Sequence, residues 1–225
     1  YGLVGSEMCI RDRIRQDNSQ IREEMVNSIK RAHETILDMA AQNPEYKGMG
    51  CTIVVALVID DTLHVAHIGD SRAYLADQEK ISLITSDHTY VMEMVKAGKM
   101  SMDEIRTSNI KNHLSQALGA PISLVPDYSR HPLKPKDRIL LCTDGLWDNL
   151  TDREIFAILN QNKVKSQICK EFIRKAIKRG GFDNITVVVI EYYPPSDLPK
   201  DKEPLADGSG EYGIVFSLPE QPGSD

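Results

Sequence analysis

The sequence predicts an α+β fold, with an antiparallel β core and helices packed outside it, because two kinds of apolar periodicity occur along the chain. Short apolar runs bounded by turn residues predict strands, and longer stretches with apolar residues three or four positions apart predict helices. The chain has 225 residues, of which 41% are hydrophobic, so it can bury a substantial core. We therefore expect a single domain.

The first half predicts one long helix followed by strands. Apolar residues recur at helical spacing from Ile21 to Ala40, and Asp17 with Gln20 matches a capping box ahead of them. Short turns such as Asp60-Asp61 separate the runs that follow, so an antiparallel meander is expected. Its predicted strands are residues 51–59, 63–68, 72–76 and 81–85.

The second half mixes helices and strands. A helix over residues 90–97 is predicted to stop at Gly98, and Ser101 with Glu104 predicts a capped short turn after it. Thr151, followed by Glu154, predicts the start of another helix. The remaining predicted elements are a helix over residues 164–178 and strands near residues 124–130, 138–142 and 185–190.

Charge and composition exclude several classes of protein. There are 27 basic and 33 acidic residues, a net charge of -6, which argues against nucleic-acid or membrane-surface binding. No apolar stretch approaches the roughly 18 residues that a membrane span needs, and no signal peptide is visible. The cysteines show no C-x-x-C pairing, so we expect reduced thiols and a cytoplasmic protein. They are Cys9, Cys51, Cys142 and Cys169.

The two ends differ from the middle. The chain begins with Tyr1, and residues 5–13 resemble translated sequencing-adapter text, so residues 1–13 are interpreted as a non-native leader; the alternative is a short native strand around residues 2–4. Residues 194–225 are rich in Pro, Gly and acids and are interpreted as a flexible tail, in which only residues 212–218 could pair as a strand. Residues 14–193 remain as the domain.

Acidic residues mark three predicted strand ends. The apolar run 139–142 ends at Asp144, with Asp148 four residues further on; Asp70 follows another strand, and Asp183 precedes the last one. Singly, each is more often a turn residue. Together they predict one shared site, and a set of oxygen ligands favours Mg²⁺ or Mn²⁺ over zinc.

Five segments resemble, in order, the motifs of the metal-dependent Ser/Thr protein phosphatases of type 2C, especially the bacterial branch. The resemblance runs from about residue 15 to residue 192. The segments are His-Ile-Gly-Asp-Ser-Arg-Ala (67–73), Ile-Thr-Ser-Asp-His-Thr (84–89), Gln-Ala-Leu-Gly (116–119), Leu-Cys-Thr-Asp-Gly-Leu-Trp-Asp (141–148) and Phe-Asp-Asn-Ile-Thr-Val-Val-Val (182–189).

The resemblance implies a fold, a cofactor and an activity. The expected fold is two stacked antiparallel sheets with helices on both outer faces, incomplete at the N-terminus. Asp144 and Asp183 would bind the catalytic pair of Mn²⁺ or Mg²⁺ ions, and Asp70, Asp144 and Asp148 a third, weaker ion. The implied reaction is hydrolysis of phosphoserine and phosphothreonine in phosphorylated proteins, including Ser/Thr kinases and their substrates. A monomer is expected.

The family's earliest motifs are missing from the sequence. They supply a phosphate-binding Arg, an acid of the first strand and an Asp-Gly-x-Gly-Gly segment whose Asp bridges the two metals, and none of them is found here. We therefore expect a truncated reading frame whose metal site is incomplete and which is inactive by itself. The alternative is a noncatalytic relative that acts as a regulatory protein-binding module.

Four further residues have two interpretations each. His88 is predicted to be a turn residue rather than part of a flap or of the shell around the metal ligands, and His67 is predicted to be packed within a strand. Trp147 is interpreted as a core anchor of the acidic loop rather than a substrate contact. Arg72 either contacts phosphate or pairs with a nearby acid.

Overall fold

The computed structural model describes residues 18–59, 61–105, 110, 113–181 and 183–194. Within these residues, seven strands form two antiparallel sheets. The strands are β1 (Ile53–Ile59), β2 (Thr62–Ile68), β3 (Arg72–Ala76), β4 (Ile81–Leu83), β5 (Asp127–Pro132), β6 (Arg138–Cys142) and β7 (Val187–Glu191). The helices are α1 (Asn18–Gln42), α2 (Tyr90–Lys96), α3 (Met102–Ile105), α4 (Asp144–Trp147), α5 (Asp152–Leu159) and α6 (Lys165–Lys178), with a 3₁₀ turn at Pro44–Tyr46.

The first sheet has the strand order β1-β2-β5 and is covered by the long helix. Ile21 and Ile29 of α1 are buried in one cluster with Ala66 and Ile68 of β2. This contact explains the helical spacing of the apolar residues in α1, because one face of the helix must bury against the sheet.

The second sheet has the order β4-β3-β6-β7 and is covered by α5 and α6. Ile155 and Phe172 from these helices are fully buried with Leu140 of β6. Leu63 of β2 and Ile139 of β6 belong to a third cluster, between the two sheets. The layers therefore run helix, sheet, sheet, helix, which confirms the predicted fold class.

The prediction of a continuous meander is wrong. β1 pairs with β2 and β3 pairs with β4, but β2 and β3 lie in different sheets. The chain changes sheets at Gly69, which has φ 101, a conformation that side chains other than glycine rarely adopt. A Cβ on Gly69 would lie 2.3 Å from Cγ2 of Thr52, so this turn also requires the absence of a side chain.

Several predicted boundaries need correction. The strand expected from residue 124 begins at Asp127, since Pro126 has no N–H for a ladder and the Val125 N–H donates to the Gln116 side chain at 2.8 Å. The last strand begins at Val187 rather than at residue 185. The strand expected over residues 81–85 ends at residue 83, and the strand expected over residues 51–59 begins at Ile53, which leaves Cys51 exposed outside it.

The predicted helix signals are mostly confirmed. Thr151 and Glu154 form a full capping box at the start of α5, and Gly98, with φ 69, follows α2. Ser101 and Glu104 bond to each other at α3. The predicted Asp17 cap, the leader and the tail beyond residue 194 lie outside the described residues. In the described part of the chain, no helix combines the length and apolar composition that a membrane span requires.

Candidate metal centre

Three strand ends lie side by side in the second sheet, and the predicted acids adjoin them. Arg72, the first residue of β3, pairs with Cys142, the last residue of β6. Cys142 pairs in turn with Val187, the first residue of β7. Because these residues form one row across the sheet, the loops next to the row meet at one edge. The acids in those loops are Asp70, Asp144, Asp148 and Asp183.

Electrostatic effects connect the other three carboxylates to Asp144. Burial, and then the charges of Asp144 and Asp87, raise the pKa of Asp70 to about 6. Burial, and then the charges of Asp183 and Asp148, raise the pKa of Asp144. Asp144 is therefore within electrostatic reach of each of the other three predicted acids.

The cluster is open on one side. Asp70 is buried and Asp144 is half-buried, whereas Asp148 and Asp183 are exposed. An ion can therefore reach Asp148 and Asp183 from solvent, while Asp70 and part of Asp144 are shielded from water.

The donor set fits a hard divalent cation. Carboxylate oxygens are the ligands that Mg²⁺ and Mn²⁺ prefer, and a cation among them would offset the repulsion that raises the pKa values of Asp70 and Asp144. Arg72 lowers the pKa of Asp70, but its own charge is paired with Asp87. The cluster therefore has the composition of a metal centre.

Arg72 pairs with an acid, as one of its two interpretations predicted. Its Nε donates to Oδ1 of Asp87 at 3.0 Å and its Nη2 donates to Oδ2 at 2.7 Å. The guanidinium also lies 3.5 Å from the ring centroid of Trp147. Both contacts fix the first residue of β3.

Trp147 anchors the acidic loop, as predicted. Its indole N–H donates to the carbonyl oxygen of Asp70 at 3.1 Å, and its ring packs against the core cluster beneath the second sheet. Trp147 ends α4, the single turn that begins at Asp144, so one side chain connects two of the acidic loops. This turn of helix was not predicted from the sequence.

The loop of Asp183 approaches α4 closely. A Cβ on Gly145 would lie 2.4 Å from the carbonyl oxygen of Asn184, so only glycine permits this contact. Thr143 joins the same loops, because its Oγ1 donates to Asn184 O at 3.1 Å and accepts from Thr186 N–H at 3.0 Å. These contacts hold the two loops at a fixed separation.

Backbone amides orient two of the carboxylates. The Gly145 N–H donates to Oδ1 of Asp144 at 2.9 Å, and the Asn184 N–H donates to Oδ1 of Asp183 at 2.6 Å. Each carboxylate therefore has one oxygen engaged by its own loop, which limits the directions that the other oxygen can take.

His88 is a buried residue of the supporting structure, and its interpretation as a turn histidine is wrong. Its side chain is 4% exposed, its Nδ1 accepts from the Gly69 N–H at 3.2 Å, and its Nε2 lies 3.3 Å from Oδ2 of Asp127. Its ring stacks on that of His67, with centroids 4.8 Å apart. His67 is packed within β2, as predicted, with Nε2 3.0 Å from the carbonyl oxygen of Ser86.

Two acids beside the candidate metal centre were not predicted from the sequence. Asp87 holds Arg72, and Asp127 faces His88. Asp87 lies within the recognised motif of residues 84–89, but its ion pair with Arg72 could not be predicted from the spacing of residues along the sequence. Asp127 lies outside every recognised motif, and no local signal marks it.

A model of the family described as "Protein phosphatase 2C" matches residues 7–93 and 103–185. The chain belongs to the protein phosphatase 2C family. The predicted resemblance is thus confirmed. The match to this phosphatase family begins at residue 7, inside the segment interpreted as a leader.

Named members of the phosphatase 2C family are similar over most of the chain. A putative protein phosphatase 2C-type from Streptococcus pyogenes is 33% identical over 196 residues, which cover 84% of this chain and 79% of that protein. The serine/threonine phosphatase stp of Listeria monocytogenes is 31% identical over 198 residues, with the same coverage of 84% and 79%.

Solved structures of phosphatases share the fold. The S. agalactiae serine/threonine phosphatase has a TM-score of 0.72 and 36% identity, covering 77% of this chain and 71% of its own. The catalytic domain of the serine threonine protein phosphatase PstP, solved in complex with 2 manganese ions, has a TM-score of 0.61 and 32% identity, covering 70% and 65%.

Proposed function

We propose that this protein is a metal-dependent phosphoprotein phosphatase that hydrolyses phosphoserine and phosphothreonine. The observation that carries the proposal is the row formed by Arg72, Cys142 and Val187, which brings the acidic loops of three strand ends to one edge. The names of the similar proteins, which include serine/threonine phosphatases from Listeria, support this reaction.

The proposed ligands divide into two sets. Asp144 and Asp183 would hold the catalytic pair of Mn²⁺ or Mg²⁺ ions, and Asp70, Asp144 and Asp148 would hold a third, weaker ion. The structure of PstP with 2 manganese ions supports manganese as one suitable cation. Such ions, when bound, lower the pKa of water and neutralise charge on a phosphoryl group.

The residues of this chain supply a prearranged set of charges. Burial, and then the charges of Asp183 and Asp148, raise the pKa of Asp144, and a cation bound beside this carboxylate would lower that pKa again. Metal binding is therefore expected to release protons from this cluster. Gly145 and Thr143 keep the loop of Asp183 close to α4, so little reorganisation is needed.

The 225 residues contain no Asp-Gly-x-Gly-Gly segment, and the family's bridging carboxylate comes from that segment. We therefore also propose that the 225 residues, on their own, hydrolyse substrate far more slowly than a family member that has the segment. The same observation favours the second candidate function, a noncatalytic phosphatase-like module that regulates other proteins by binding them.

Partners and location follow from the proposed reaction and from composition. Phosphorylated proteins, including bacterial Ser/Thr kinases and their substrates, are the proposed partners of a monomeric enzyme. The net charge of -6 supports partners other than nucleic acid or membranes. Cys142 and Cys169 are buried free thiols, which supports a cytoplasmic location.

The proposed activity can be tested in a chimera in which the early segment of a family member, with its Asp-Gly-x-Gly-Gly motif, is joined ahead of residue 14. The enzyme proposal expects Mn²⁺-dependent release of phosphate from a phosphothreonine peptide, lost in Asp144→Asn and kept in the exposed control Asp38→Asn. A folded chimera without metal-dependent activity would favour the regulatory module instead.

A further inference from the structure

The loop that carries Asp70 crosses between the two sheets. Gly69 and Asp70 follow the last paired residue of β2 and precede the first residue of β3, so the loop is held by contacts outside both ladders. The position of the Asp70 carboxylate therefore depends on what holds the backbone on either side of it.

His88 makes two hydrogen bonds to the glycine before Asp70. The His88 N–H donates to Gly69 O at 2.9 Å, and the Gly69 N–H donates to His88 Nδ1 at 3.2 Å. Since Nδ1 accepts, the proton of the neutral ring lies on Nε2, which faces Oδ2 of Asp127 at 3.3 Å. Asp127 thus orients the ring that holds Gly69.

The histidine cluster itself does not have the geometry of a metal site. Ligand atoms of His67, His88 and Asp127 lie within 4.8 Å of one another. However, the two rings are stacked with an interplanar angle of 16°, and a cation bound by a ring nitrogen lies near the plane of that ring. Nearly parallel planes do not converge on one ion, and the lone pair of His88 Nδ1 is already used by Gly69.

We propose that His88 is a positioning residue for Asp70. It holds the N–H of Gly69 while Trp147 holds the carbonyl oxygen of Asp70, so the backbone is fixed on both sides of the Asp70 Cα. The adjacent Asp87 holds Arg72 at the other end of the loop. This inference rests on the proposed function, in which Asp70 is a metal ligand, and adds the residue that sets its position.

Two substitutions separate the role of Nδ1 from general loss of the ring. In His88→Asn the side-chain oxygen takes the place of Nδ1 and can accept from Gly69, whereas in His88→Gln the amide lies near the place of Nε2. Both variants remove the ring that stacks on His67. The exposed His113 offers a control in His113→Gln.

The full 225-residue chain is tested by amide hydrogen exchange at Gly69 and by titration with Mn²⁺. We expect His88→Gln to lose Gly69 protection and to bind Mn²⁺ about 10-fold more weakly, while His88→Asn retains most of both. Equal behaviour of the two variants, or unchanged Gly69 protection in His88→Gln, would overturn the proposal.

A measurement on the unmodified chain keeps the test independent of variant folding. Long-range ¹H–¹⁵N NMR of His88 is expected to show an unprotonated Nδ1 and a proton on Nε2, and a proton on Nδ1 would overturn the proposal. If the unmodified chain binds no Mn²⁺, the proposed function fails, whereas the tautomer and the Gly69 exchange still decide whether His88 holds the loop.

Discussion

Arg72 and Cys142 are direct partners across the second sheet, at the start of β3 and the end of β6. This pairing sets the distance between the loop of Asp70 and the loop of Asp144, because each loop begins within two residues of the pair. The candidate metal centre is thus a consequence of strand register, and substitutions that disturb the loops without disturbing the register give the clearest tests.

Gly145→Ala is expected to weaken both the fold and the metal centre. The new Cβ would lie 2.4 Å from the carbonyl oxygen of Asn184, a backbone atom, so the loop of Asp183 must move away. Overpacking of this kind costs about 1–3 kcal/mol of unfolding free energy. Denaturant unfolding and Mn²⁺ titration measure the two effects, and a variant that matches the parent protein in both would contradict the described loop contact.

Glu191→Gln is expected to remove a pH-dependent part of the stability. Burial raises the pKa of Glu191, but bonds from Lys165, Arg138 and Tyr193 outweigh it and hold the pKa below its usual 4.5. A carboxyl group whose pKa is lowered by folding stabilises the folded state at pH values above its pKa in the unfolded chain. This contribution is lost as the pH falls through its pKa in the folded chain.

The size of the Glu191 effect is expected to be about 2 kcal/mol at neutral pH, as for hydrogen bonds to a charged group. Denaturant unfolding of Glu191→Gln and the parent, compared from neutral pH down to below 4.5, should show the difference shrinking at acid pH. The exposed Glu34→Gln is the control. A difference that stays constant with pH would show that the ion pairs do not act as described.

Mn²⁺ and Mg²⁺ are expected to raise the thermal unfolding temperature more than Ca²⁺ does. Any of these cations would relieve the repulsion that raises the pKa of Asp70 and Asp144, but the smaller ions suit octahedral oxygen sites better. Differential scanning fluorimetry with each ion measures the shift. Greater stabilisation by Ca²⁺ would count against the proposed cofactor.

The 225-residue chain by itself is expected to hydrolyse neither p-nitrophenyl phosphate nor a phosphothreonine peptide at a rate near that of a full family member. A metal pair that shares a water needs a bridging carboxylate, and the Asp-Gly-x-Gly-Gly segment that supplies it is absent from these residues. Assays with Mn²⁺ check this expectation. Activity that disappears in Asp144→Asn would mean that another acid completes the site.

The parts of the fold that depend on residues close together in sequence could be predicted from the sequence. The capping box of Thr151 and Glu154 and the strand Arg138–Cys142 followed from local patterns alone. Asp70, Asp144 and Asp183 were found because each lies next to one end of a predicted strand, and Asp148 because it lies four residues after Asp144. Whether the acids share one site depends on which strand ends meet, and the register of β3, β6 and β7 brings those ends into one row.

The parts that depend on distant residues could not be predicted in this way. The turn at Gly69 sends the chain into the second sheet, and its need for glycine comes from Thr52, which lies in another loop. The bond between His88 and Asp127 joins residues far apart in sequence. Such contacts are set by the packing of the two sheets, which spacing along one chain does not encode.

The central claim, that Asp70, Asp144, Asp148 and Asp183 together form a centre that binds divalent cations, is tested most directly by calorimetric titration of the 225-residue chain with Mn²⁺. The expected result is saturable binding that releases protons, that is strongly weakened in Asp144→Asn, and that is unchanged in the exposed control Asp38→Asn. Binding that is absent, or that is equal in Asp144→Asn and the control, would contradict it.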